Sequence, residues 1–165
     1  NGFNYDWNVD VSDGLETTTS DTWAFYMHSV EELRLQANVV SFGDMQNGQS
    51  KNTTTNSNSD PFVIQNDGNS ITNISTSGTE LWEAIDIPNN YYQYQVSENE
   101  EGSFNLNSSK TIWTEMTTGS VVSMAELNWT NSSDSGKMDL YAEVPMNESA
   151  GTKESMITFT GSLAE

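Results

Sequence analysis

Glu98, Glu100 and Glu101 place three carboxyl groups within four residues, and Asp10 with Asp13 and Asp134 with Asp139 add two further pairs. Paired carboxylates do the work of glycoside hydrolysis when they face each other across a cleft, about 5 to 10 Å apart. Together with backbone carbonyls they also bind calcium. No loop here follows a regular calcium-ligand spacing, and carboxylates that are merely neighbours in sequence form solvated acidic rims. No metal is assigned, and a structural calcium ion is the one cofactor left open. His28 is the only histidine, so neither a two-histidine metal site nor a conventional proton relay can be assembled within one chain. No glycine elbow surrounds a serine, and no phosphate-cradling loop carries its lysine. Asp67, in Asn66-Asp67-Gly68-Asn69, reads as a tight-turn residue and not as a catalytic one. These residues predict a protein that is not an enzyme.

A second chemistry is open to the aromatic residues. Tyr91, Tyr92, Tyr94, Trp82, Trp113 and Trp129 would suit a carbohydrate-stacking platform if they lay exposed, with Tyr91 and Tyr92 the best surface candidates; in a sandwich, large aromatics otherwise fill the core. The elements that must hold these groups are strands. Pro61–Gln65, Tyr91–Val96, Val121–Trp129, Lys137–Val144 and Glu154–Thr160 are short apolar or alternating runs separated by Gly, Ser, Asn or Pro clusters. Met138, Leu140, Ala142 and Val144 share one face of theirs. Glu31–Val39 alternates as well, Asn66–Asn69 signals a hairpin turn, Lys51–Asp60 is an exposed loop, and Leu81–Ile87 is compatible with a turn of helix. Many short strands at this spacing predict an all-β, antiparallel immunoglobulin-like or jelly-roll β-sandwich.

The clearest alternation opens the chain. In residues 3–11, Phe3, Tyr5, Trp7, Val9 and Val11 form one apolar row, and Asn4, Asp6, Asn8 and Asp10 form the polar one. Full burial of such side chains is worth roughly 1.5 to 3 kcal/mol each, so this row must be covered, either within its own domain or by a neighbour. Ser12–Asp21 is polar and reads as a linker, and Trp23–Met27 as a buried strand. The expected organisation is therefore residues 1–12 as an N-terminal strand, 13–21 as linker and 22–165 as the sandwich.

Composition excludes several partners. Lys and Arg number 5 against 24 Asp and Glu, a formal charge of −19. Nucleic-acid binding needs clustered cations to displace counterions, and an anionic membrane surface would repel this chain. No apolar run is long enough to span a bilayer. There is no cysteine. Asn52, Asn73, Asn107, Asn128, Asn131 and Asn147 each begin an Asn-X-Ser/Thr sequon, which with the shortage of lysine favours a glycosylated outer surface. The first residue is Asn, not Met, which fits removal of a secretory signal peptide and an extracellular, cell-surface location.

From Val39 onward the chain resembles archaeal secreted immunoglobulin-like surface domains. The resemblance rests on Val40–Gly48, Pro61–Asn69, Leu81-Trp82, Val144-Pro145 and Ala150-Gly151-Thr152 leading into Ile157–Thr160. The overall arrangement is similar to subunits of archaeal extracellular threads and bundling pili, and to the bacterial biofilm-fibre proteins of the TasA/camelysin group. In those families a terminal strand inserts into the sheet of the next subunit. The resemblance thus implies a head-to-tail helical polymer of identical subunits, with Phe3, Tyr5, Trp7, Val9 and Val11 as the donated row. The alternative is a monomeric glycosylated surface or carbohydrate-binding module.

Overall fold

The computed structural model describes residues 2–55 and 60–164, and the side chain of Phe3 lies outside that description. Positions 56–59 of the expected Lys51–Asp60 loop lie outside it too. The chain divides into two compact units, Asn1–Val30 and Glu31–Glu165.

The first unit is one long hairpin. Strand β1 (Gly2–Trp7) pairs antiparallel with β4 (Trp23–His28), and β2 (Asp10–Ser12) pairs with β3 (Thr17–Thr19). The turn is built by Asp13, whose carboxylate accepts the N–H groups of Leu15 and Glu16, both at 2.9 Å. These bonds hold the Asp13 carboxyl below its ordinary value, and Gly14 supplies the positive φ of 90° that the turn requires. Between the two ladders Asn8 and Val9 oppose Ser20, Asp21 and Thr22, a bulge that slips the register by one residue. The alternating row is therefore not one continuous strand. It breaks after Trp7, and the stretch read as a linker forms the tip of the hairpin. Trp23–Met27, expected as a buried strand, is a strand in which every residue is exposed.

The second unit is all-β and antiparallel. A larger sheet runs β10-β9-β12-β7-β5, comprising β5 (Leu33–Leu35), β7 (Phe62–Asn66), β9 (Tyr92–Glu98), β10 (Thr114–Glu115) and β12 (Ser135–Glu143), with β6 (Ser50–Asn52) paired to the C-terminal end of β12. A three-stranded sheet runs β11-β8-β13, from β8 (Thr72–Gly78), β11 (Val121–Leu127) and β13 (Ile157–Leu163). The alternation of these strands explains the packing. Phe62, Ile64, Tyr92, Tyr94, Val96, Met138 and Leu140 from the larger sheet meet Ile74, Met124 and Leu127 from the smaller in one core. Gly136 allows the sheets to close here, because a Cβ at that position would stand 2.8 Å from the Met124 sulfur.

Three local expectations change. Asn66–Asn69 does not close a hairpin: β7 and β8 belong to different sheets, and the segment turns the corner between them. Buried Asn66 organises that corner by donating to the carbonyls of Ser70 (2.8 Å) and Leu127 (3.1 Å). Leu81–Ile87 is irregular, with bends and no helix, and Glu31–Val39 contributes only the three residues of β5.

Candidate functional site

The hairpin of the first unit has no buried residue among those described. Antiparallel pairing puts Tyr5 opposite Phe25 and Trp7 opposite Trp23, so these four side chains share one face with Met27. The rings are in contact: Tyr5 stacks on Phe25 with centroids 5.2 Å apart, and Trp7 lies 4.8 Å from Trp23. Even so, Tyr5, Trp7, Trp23, Phe25 and Met27 remain 40 to 51% exposed. Covering what remains would yield about 1 kcal/mol per side chain, roughly 5 kcal/mol in all. A lone two-stranded hairpin is marginal in water, and this one carries a contiguous aromatic face open to solvent. Of the five residues expected to form the donated row, Tyr5 and Trp7 lie on this face, the Phe3 side chain is not described, and Val9 and Val11 lie beyond Trp7, past the break. Trp23, Phe25 and Met27 were missed by sequence reasoning. The signal was their own period-two spacing, obscured by Tyr26 on the opposite face beside His28, which ends β4 and is exposed.

In the second unit the strand edges differ sharply. β11 slips register twice against β8, and its outer side is occupied: the Lys110 N–H donates to Ser123 O (2.9 Å), the Asn105 N–H donates to Ala125 O (2.9 Å), and the Ala125 N–H donates to Ser109 Oγ (2.8 Å). β5, β6 and β10 are three residues long or fewer. β13 pairs with β8 in unbroken register over seven residues. Thr79 N–H bonds to Met156 O and Ala164 N–H to Ile71 O, both 3.0 Å. The even-numbered residues of β13 thus direct their backbone groups at β8, and Ile157, Phe159, Gly161 and Leu163 direct theirs outward. The Glu31 carboxylate accepts the outward Leu163 N–H at 3.0 Å. The outward groups of Ile157, Phe159 and Gly161 have no hydrogen-bond partner among the described residues.

Beside this edge lies a groove of about 1140 Å³ with a mixed lining: apolar side chains including Leu35, Val39, Phe42, Phe62, Ile157 and Phe159, and polar ones including Asp44, Glu148, Lys153 and Glu154. Phe159 meets Phe62 edge-on at 5.6 Å. One wall, residues 38–47, is tied back by Lys51, whose ammonium donates to Phe42 O (2.5 Å) and Asp44 O (3.1 Å). At the far end buried Glu148 accepts the N–H groups of Glu83 (3.2 Å) and Ala84 (3.0 Å) and pairs with Lys153 at 2.6 Å. Burial alone would raise the Glu148 carboxyl, but Lys153 and the two backbone donors outweigh it and hold it below its ordinary value.

The carboxylates singled out by spacing hold loops together. Glu98 accepts Gly102 N–H, Glu100 accepts the N–H groups of Asp134 and Ser135, and Asp139 accepts the Thr53 hydroxyl at 2.6 Å. Asp67 pairs with Arg34 at 3.0 Å. Among the described residues no group of three or more acidic or histidine side chains could hold a metal ion. Asp134, like Tyr94 and Ser103 at their hydroxyls, has a buried polar atom left unsatisfied. It is buried, its Oδ1 has no partner, and desolvation, together with the charge of Glu100 nearby, raises its pKa above 3.8. The folded state therefore prefers the protonated acid, and stability is lost as pH rises from about 4 through the raised value. Asp134→Asn should stabilise the fold by about 1 kcal/mol at neutral pH, with no gain at acid pH where the wild-type group is already protonated; urea denaturation at both pH values checks this.

The aromatic platform is corrected by burial. Trp82, Tyr92 and Tyr94 belong to the core, and desolvation pushes the Tyr92 hydroxyl up to about 12. Tyr91 and Trp113 are half-buried and Trp129 is exposed. Of the sequon asparagines, Asn107, Asn131 and Asn147 are exposed, whereas Asn52, Asn73 and Asn128 are half-buried and engaged with neighbouring residues. No helix among the described residues is long and apolar enough to cross a membrane. No known protein family matches the chain, nor does any curated protein or solved structure.

Proposed function

We propose that this chain is the structural subunit of an extracellular filament of the archaeal thread or pilus kind, in which the N-terminal hairpin of one copy docks on the next. The observation that carries this reading is the hairpin's aromatic face, held in register by cross-strand stacking yet with no core beneath it. In this account the donated element is the two-stranded hairpin and not the single strand the sequence alone implies. A contact between unlike surfaces that does not close on itself generates an open polymer. The body is then an immunoglobulin-like or jelly-roll module outside the cell, with N-glycans at the exposed Asn107, Asn131 and Asn147. The carbohydrate-binding alternative has less to rest on, since three of its six rings are in the core.

Charge makes a further demand. Every copy carries −19, and the hairpin itself holds Asp6, Asp10, Asp13, Glu16 and Asp21 with no Lys or Arg. Like-charged copies repel over the Debye length, about 30 Å at 0.01 M salt and 8 Å at 0.15 M. Sedimentation of the full chain should therefore show monomer at low salt and large, concentration-dependent species at 0.15 M and above, visible as fibres by negative-stain microscopy. A chain that stays monomeric at every salt and protein concentration would overturn the proposal.

A further inference from the structure

We infer that the outer edge of β13 is where a second copy's hairpin docks, pairing its backbone with Ile157, Phe159 and Gly161 and laying its aromatic face into the adjoining groove. This rests on the filament reading above and names the surface that completes it.

Three observations select this edge. It is the one long, regular strand edge of the second unit, among the described residues, that is left uncovered: β11 is covered by residues 105–110, and the other edge strands have three residues or fewer. Its side chains have the half-burial of a strand with a missing neighbour, alternating between partly buried Ile157, Phe159, Gly161 and Leu163 and exposed Thr158, Thr160 and Ser162. The exposed apolar residues Leu35, Val39 and Met156 also line the groove beside it.

A second copy's hairpin fits what is missing. β1 has six residues against seven in β13, spans of about 20 and about 24 Å at roughly 3.4 Å per residue. With Tyr5, Trp7, Trp23, Phe25 and Met27 turned to the groove, Asn4 and Asp6 emerge on the solvent side next to Thr158 and Thr160, so the polar and apolar faces of the extended sheet agree. Adding two strands would bring the three-stranded sheet to five, facing a larger sheet whose main path also has five. Main-chain bonds at an open edge with alternate side chains in pockets are the general form of strand addition.

The absence of cysteine makes the contact testable by cross-linking. Full-length chains carrying Asn4→Cys or Asp6→Cys are mixed with chains carrying Thr158→Cys or Thr160→Cys, assembled and oxidised; a disulfide between the two populations requires two copies. All four positions are exposed or on the polar face, and hydrogen exchange on the unaltered chain adds a readout free of mutation. Expected are disulfide-linked dimers at the β13 positions, and amides of Ile157, Phe159 and Gly161 slowed at least about tenfold on assembly. Fibres that instead cross-link to Arg34→Cys on β5 or Val122→Cys on β11, with no slowing at β13, would overturn this inference and leave the filament reading standing. Absence of any fibre from the unaltered chain would remove the filament reading itself, and this inference with it.

Discussion

Chains with Trp7→Ala and Trp23→Ala together are expected to stay monomeric where the unaltered chain polymerises. The two rings form a cross-strand pair with centroids 4.8 Å apart, each about half exposed. Large aromatics at the centre of an interface typically contribute about 2 kcal/mol or more apiece. Losing both should raise the critical concentration roughly a thousandfold, at about 1.4 kcal/mol per factor of ten. Neither residue belongs to the core of the second unit, so the thermal transition of that unit should be unchanged. Tyr26→Ala, on the opposite face of the hairpin, is the control and should alter assembly little. Sedimentation velocity across a concentration series reads all three chains. If the double variant assembled as readily as the parent, the aromatic face would have no part in assembly.

The second large effect is on stability. Glu148→Ala should cost about 1 to 2 kcal/mol, because it leaves the mostly buried Lys153 side chain and the N–H groups of Glu83 and Ala84 without their acceptor at the wall of the groove. Glu148→Gln keeps the shape and one acceptor oxygen, and should cost about half as much. The network reaches further: Lys153 also meets Glu83 at 3.0 Å, and Glu83 accepts the Ser149 hydroxyl at 2.6 Å. That Ser149 hydroxyl and the Lys153 ammonium lower the Glu83 carboxyl, as Lys153 and backbone donors lower that of Glu148. Both groups bind protons less well folded than unfolded. Their stabilisation is complete above about pH 4.5, the ordinary carboxylate value, and is lost as pH falls through the depressed values. Asp134 works in the opposite sense. Acid unfolding of the parent should thus begin below pH 4.5, and the Glu148 variants should show a shallower dependence, measured as urea midpoints between pH 2 and 7.

The fold of the second unit was largely legible in the sequence, because its strands bury one face and alternation reports that directly. Met138, Leu140, Ala142 and Val144 were grouped on one face and all four are buried. Sheet membership was not legible. Asn66–Asn69 carries the residues of a hairpin turn but serves as a corner between sheets, since the buried amide of Asn66 binds Leu127 O from β11, 61 positions away. Local turn chemistry cannot report a partner that distant. Tyr91 and Tyr92 illustrate the same limit: Tyr92 opens β9 and is buried, whereas Tyr91 lies half-buried in the turn before it, and pairing, not composition, decides where the strand starts. In the first unit the alternation was visible but its companion was not. Trp23, Phe25 and Met27 join Tyr5 and Trp7 only through the register of a hairpin whose tip, polar and rich in turn formers, has the composition of a linker. The β13 edge carries no sequence signal of its own, because an unpaired edge is defined by the strand that is absent.

The most direct test is an electron cryo-microscopy map of the assembled material. Density for the Gly2–His28 hairpin is expected to lie against the second unit of an adjacent copy, with the rings of Tyr5, Trp7, Trp23 and Phe25 enclosed. A map in which that hairpin projects into solvent, or is folded onto its own chain while copies touch elsewhere, would contradict it.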